Sequence, residues 1–65
     1  MINRIKEFRK AKGYRQEDLA EALGVSRQTI IAIEKNKYNP SLDLAMRLAR
    51  YLHTTVEELF ELEDK

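Results

Sequence analysis

The chain has 65 residues, a formal net charge of +1, two Gly, one Pro and no Cys. That length predicts a single small domain, residues 1–65, with a core of marginal size. Without Cys there are no disulfides or thiolate zinc sites, which suits a reducing cytoplasm, and the lone His53 cannot build a multi-histidine metal centre. The longest apolar run, Ile30 to Ile33, is too short for a membrane span or for the apolar stretch of a signal peptide.

Charge is unevenly spread. Residues 1–40 carry nine Lys/Arg against five Asp/Glu, a balance of +4, and residues 41–65 carry three against six, a balance of −3. A basic and an acidic half suggest two faces with different partners, a polyanion suiting the basic one, although charge runs commonly just solvate a face.

In chain order, Ile2, Ile5, Phe8 and Ala11 recur at helical spacing until Gly13, predicting an amphipathic first helix. A second helix runs from Gln16 to Leu23, buries Leu19, Ala20 and Leu23, and stops at Gly24. Its N-cap is Arg15, where Ser or Thr is usual, at a cost of about 1 kcal/mol. Glu17 and Asp18 offset part of this at the positive end of the helix dipole. Ser26 caps a third helix that buries Ile30 and Ile33 and ends at Lys35-Asn36-Lys37, Asn36 tolerating a left-handed turn. Tyr38-Asn39-Pro40 forms a loop.

Ser41 caps a fourth helix carrying Leu42, Leu44, Ala45, Leu48, Ala49 and Leu52 inward, broken at His53-Thr54. Thr55 and Glu58 form a capping box for a short fifth helix with Val56, Leu59 and Phe60. Residues 61–65 are expected to fray. The fold class is all-α, five short helices that must share one core because none is stable alone.

Residues 16–35 have the form of a helix-turn-helix, with Gly24-Val25-Ser26 as the turn. Ala20 is small enough for the helices to cross closely, Gly24 permits the turn, and Val25 plugs it. Ile30 and Ile33 lock the second of these helices onto Leu19 and Leu23.

In Gln16–Ala20, Leu23–Ile30 and Ile33–Leu42 the sequence resembles the phage repressor and Cro family of DNA-binding domains, the XRE-type helix-turn-helix. The resemblance covers Ile5 to Phe60 and is greatest to stand-alone bacterial members. It implies a compact five-helix, lambda-repressor-like domain that binds operators as a dimer through the third helix. It also implies that Gln16, Thr29 and the loop Lys37-Tyr38-Asn39 contact phosphates, that Gln16 supports the recognition helix, and that Arg9 pairs with Glu34. Ser26, Arg27 and Gln28 open the helix that the family places in the major groove.

Elementary chemistry agrees with these roles. Arg27 can present a bidentate fork to guanine, and Gln28 can do the same to adenine. Lys35 and Lys37 would add affinity without sequence preference. Arg15 either reaches a phosphate or is simply solvated. Ile31 either meets a thymine methyl or is a neutral surface residue, and Tyr38 either packs on its loop or donates to a phosphate. Arg9–Glu34 reads first as scaffold. Asn36 and His53 stand where the family often has glycine, so His53 reads as a helix terminator, not a ligand or base.

One module reads too few base pairs for useful specificity, so a homodimer is expected. The candidate interface lies on helices four and five, at 41–62, through Tyr51, Val56 and Leu62, with Phe60 covering the core. The leading function is a sequence-specific regulator of transcription, acting as a repressor on double-stranded operator DNA. The second is an antitoxin that binds a toxin protein and represses its own operon. No catalytic constellation is present, and no cofactor, metal, membrane or small-molecule substrate is implied.

Overall fold

Helix starts and stops are set by signals a few residues long. The computed structural model describes residues 1–63 and contains helices α1 (Ile5–Ala11), α2 (Gln16–Leu23), α3 (Arg27–Glu34), α4 (Leu42–Tyr51) and α5 (Val56–Leu59). Two short strands, β1 (Ile2–Asn3) and β2 (Phe60–Glu61), flank them. The architecture is five helices around one core, as the periodicity predicts, with a small ribbon that the periodicity does not show.

The starts are hydroxyl caps at three helices. Ser26 Oγ accepts from the Thr29 N–H, Ser41 Oγ from Leu44, and Thr55 Oγ from Glu58, each at 3.1 Å. The expected box at α5 is only half formed, because the Glu58 carboxylate accepts from Thr54 Oγ at 2.7 Å. Helix α2 solves its missing hydroxyl differently, its Asp18 carboxylate accepting the Arg15 N–H at 2.7 Å.

The ends of α1 to α4 share one design. Gly13, Gly24, Asn36 and His53 all adopt positive φ between 60° and 76°. The following N–H then closes back five residues, Tyr14 to Arg9, Val25 to Ala20, Lys37 to Ala32 and Thr54 to Ala49, at 2.9 to 3.1 Å. This satisfies carbonyls that the helix itself leaves free.

The core is drawn from every helix. Ile5, Leu19, Ile30, Ile33, Leu48, Leu52 and Leu59 are all under 2% exposed. Phe8, Tyr14, Val25, Tyr51, Val56 and Phe60 close around it half-buried. Leu42 is a correction: it is 72% exposed, because Leu44 lies about 200° further round the helix and takes the inward direction. Ala11 is likewise exposed.

The ends of the described chain meet. β1 pairs antiparallel with β2, Ile2 opposite Glu61 and Asn3 opposite Phe60. Ile2 is therefore not part of α1, and Phe60 belongs to a strand instead of α5. Glu61, expected to fray, is held by this pairing and by an ion pair with Arg4 at 2.8 Å. Residues 64 and 65, in the same expected tail, lie outside the described residues. No helix of the described residues is long and apolar enough to cross a membrane.

Candidate nucleic-acid interface

Helices α2 and α3 pack against each other, and Ala20 of α2 is buried in the core. The turn between them depends on Gly24 at φ +71°. A Cβ added there would meet nothing within 4 Å, so the demand for glycine is conformational, not steric. Val25 tucks half-buried under the turn, and the amino end of α3 emerges into solvent immediately after it.

That end carries Ser26, Arg27 and Gln28, all exposed. The Ser26 hydroxyl is engaged in its cap and lies 3.0 Å from the hydroxyl of Thr29, and Thr29 is half-buried. Ile31, one position past the buried Ile30, is half-buried and not fully outward. Beyond the carboxyl end of α3, Lys35, Lys37, Tyr38 and Asn39 are exposed, Tyr38 by 50%. Among the described residues, Arg27, Lys35 and Lys37 enter no ion pair.

The start of α2 lies on the same surface. Arg9, Tyr14, Arg15, Gln16, Glu17 and Arg27 line one open groove of about 430 Å³. The Arg15 guanidinium is not free there: it pairs with Glu17 at 3.1 Å and with Asp18 at 3.3 Å. The hydrogen bond and charge of Asp18 raise the Arg15 pKa. Asp18 is held below the usual carboxylate range, chiefly by the Arg15 backbone N–H and then by its guanidinium.

Behind this surface sits a buried polar cluster. Arg9 Nε donates to Glu34 at 2.7 Å, with side chains only 9% and 5% exposed. A second nitrogen of Arg9 reaches Glu34 at 3.3 Å, and a third donates to the Tyr14 carbonyl at 3.0 Å. Gln16 Nε2 also donates to Glu34, at 3.1 Å. One carboxylate on α3 thus ties down α1 and the first residue of α2.

Of the candidate association residues, Leu62 stands 78% exposed, whereas Val56 is half-buried against the core. Tyr51 is half-buried and stacks on Tyr14, ring centroids 5.0 Å apart. Burial, then the nearby Tyr14 and Asp18 charges, push the Tyr51 phenol up.

Three long-range contacts complete the scaffold, and the first two escape sequence reasoning. Asn3 Nδ2 donates to the Ile33 carbonyl and to Asn36 Oδ1, both at 2.9 Å, tying β1 to the end of α3. Arg47 of α4 donates to the Leu23 carbonyl at 3.1 Å, satisfying the end of α2. The third is Gln16–Glu34. All join residues far apart in the chain, and the last is of the kind that the resemblance implies, with Gln16 supporting the third helix.

A helix-turn-helix family model matches residues 5–59. A helix-turn-helix-type transcriptional regulator of Methanocaldococcus jannaschii is 53% identical over 64 residues, covering 98% of this chain and 97% of its own length. The regulator YgzD of Bacillus subtilis is 46% identical, covering 100% of this chain and 98% of its own. Among solved structures, the restriction-modification controller protein C.AhdI of Aeromonas hydrophila superposes with a TM-score of 0.80 at 38% identity, over 88% of this chain and 86% of that one. The N-terminal DNA-binding domain of SinR from Bacillus subtilis gives 0.80 at 35% identity, over 95% and 91%.

Proposed function

Because the chain belongs to the helix-turn-helix family of transcriptional regulators, we propose that it is a repressor that binds a palindromic operator as a homodimer, inserting α3 into the major groove. One observation carries this reading. The exposed Ser26-Arg27-Gln28 end of α3 is fixed over a buried core, and Arg27 there and Lys35 and Lys37 beyond the carboxyl end of α3 are exposed and, among the described residues, in no ion pair.

On this reading Arg27 reads guanine and Gln28 reads adenine. Ile31 offers its remaining apolar surface to a thymine methyl, and Ser26 keeps hydroxyl capacity beyond its cap. Gln16, Thr29, Lys35, Lys37, Tyr38 and Asn39 contact phosphates and set register without reading sequence. Arg15 joins them only by exchanging Glu17 and Asp18 for a phosphate. Arg9–Glu34 is scaffold. The whole chain works as one unit in the cytoplasm, by binding and not by catalysis.

Dimerisation through the α4–α5 face, with Leu62, Tyr51 and Val56, would place two copies of α3 about 34–36 Å apart on one side of the duplex. Sedimentation equilibrium with operator DNA tests this: one copy per operator refutes the dimer. The antitoxin alternative gains no support from the relatives named above. Selection of binding sites from a random duplex pool tests the function itself. An enriched palindrome is the expected result, and a pool that stays random after repeated rounds refutes the proposal.

A further inference from the structure

The side-chain amide of Asn3 joins the ribbon to the start of α1 and the end of α3. Its Oδ1 accepts from the N–H of Ile5, the first residue of α1, at 3.2 Å. Its Nδ2 donates to the Ile33 carbonyl and to Asn36 Oδ1, both at 2.9 Å. These partners fix which way the amide faces. The Ile33 carbonyl only accepts and the Ile5 N–H only donates, so a flipped amide would lose both. The anchor is held by its backbone too. Asn3 pairs with Phe60, and the next N–H, that of Arg4, donates to the Leu59 carbonyl at 2.8 Å.

The far end of this tie is the turn that carries two exposed cations. Asn36 sits there at φ 61°, a left-handed conformation that a side chain makes costly. The turn closes through the Asn36 N–H to the Ile33 carbonyl at 3.0 Å and the Lys37 N–H to the Ala32 carbonyl at 2.9 Å. The Ile33 carbonyl therefore accepts twice, from the turn itself and from Asn3. Lys35 and Lys37 flank Asn36, both exposed and, among the described residues, in no ion pair. What Asn3 holds is the backbone from which both lysines leave.

We infer that Asn3 is a positioning residue for DNA binding: through Asn36 and the Ile33 carbonyl, the first strand holds the turn after α3 in the shape its phosphate contacts require. This rests on the reading of Lys35, Lys37, Tyr38 and Asn39 as phosphate contacts given above. A turn already in shape spares the ordering cost that a loose one bears on binding. Those contacts carry no sequence preference, so affinity for every duplex depends on the tie and discrimination through Arg27 does not.

Asn36→Gly separates holding the turn from holding the fold. Glycine adopts positive φ freely, so this variant is expected to unfold no earlier than wild type while losing the Asn3 contact. Its binding to selected and random duplexes alike is expected to weaken about two- to tenfold, the worth of one hydrogen bond. A purely structural role would not lower affinity while stability holds. Asn3→Ala is expected to weaken binding at least as much, and the double variant no more than Asn3→Ala alone. Base preference at the position read by Arg27 should stay unchanged in all three.

An Asn36→Gly variant that binds as wild type would overturn the inference. So would additive losses in the double variant, since Asn36 would then act without Asn3, or a loss confined to one operator position. Should Asn3→Ala not fold, hydrogen exchange of the Asn3 side-chain NH2 in the wild type decides. Protection relative to the exposed Asn39 amide supports the tie, and equal exchange refutes it. Lys37→Ala keeps the two readings apart. If it weakens binding while Asn36→Gly does not, only the positioning role fails. If Lys37→Ala binds every duplex as wild type, the phosphate reading of the loop fails and the positioning role with it.

Discussion

The α2–α3 side of the molecule and its ribbon-and-α4 side pair their positive charge to different degrees. On the first, Arg27, Lys35 and Lys37 stand exposed and, among the described residues, unpaired, while Arg9 is buried against Glu34. On the second, the Met1 amine, Arg4 and Arg47 face Glu63, Glu61 and Asp43 at 3.8, 2.8 and 3.6 Å. Exposed pairs of that kind contribute roughly 0–1 kcal/mol. Their larger effect is to cancel charge locally, although Arg50 of α4 is exposed and, among the described residues, enters no ion pair. A formal charge of +1 conceals this division entirely.

The largest expected effect tests the buried half of the contrast. Arg9→Ala strands Glu34 and is expected to cost about 3–5 kcal/mol. A chain of this length has total stability of roughly 3–10 kcal/mol, so urea unfolding should show a protein close to collapse. Arg9→Met with Glu34→Leu is expected to stay within about 1 kcal/mol of wild type or to exceed it. Equal losses in both would show that geometry, not charge, is what the pair supplies.

The exposed half is sharpened by comparing Arg27→Ala with Lys37→Ala. The first is expected to lose about 1–3 kcal/mol of discrimination at one operator position. The second should weaken all duplexes alike and reduce the salt slope by about 1. Titrations at several salt concentrations on specific and random DNA check both. On the opposite side, Arg47→Ala should leave the slope unchanged, and a reduced slope would erase the two-sided picture.

A smaller effect concerns the helix ends. His53→Gly relieves a left-handed conformation and is expected to stabilise by about 1 kcal/mol in thermal unfolding. Asn36→Gly should gain less, because Asn36 Oδ1 also accepts from Asn3. Equal gains would show that the Asn3 contact contributes nothing.

The smallest is a pH dependence at the start of α2. Asp18 titrates lower in the folded chain than the usual value of about 3.9. The stability it adds is therefore present above that value and lost as pH falls through its folded pKa. The melting temperature of Asp18→Asn should lie below wild type at pH 7, and the gap should close under acid. A gap that persists at low pH would assign the effect to the amide, not to the charge.

Much of this was legible from local signals. Ser26, Ser41 and Thr55 announced helix starts, Gly13, Gly24, Asn36 and His53 announced ends, and the spacing of Leu19, Ala20, Leu23, Ile30 and Ile33 announced the helix-turn-helix. The ribbon was not legible. Two residues per strand carry no periodicity, and Ile2 happens to lie three before Ile5, which imitates a helix. Leu42 misled for the opposite reason, its character reading as core while its direction faced water. At the candidate interface, residue types were readable but their engagement was not. Nothing local could show that Arg15 is already paired with two acids or that Gln16 shares Glu34 with Arg9.

The ribbon has a kinetic consequence. Helices α2 and α3 meet across a short turn, whereas Ile2 and Glu61 pair across nearly the whole chain. Joining ends so far apart in sequence costs loop-closure entropy, which is lowered once the intervening helices have docked. The ribbon is then the last element to zip and the first to open. With Asn3 donating to the end of α3, each opening would briefly untie the carboxyl end of α3 without unfolding the domain.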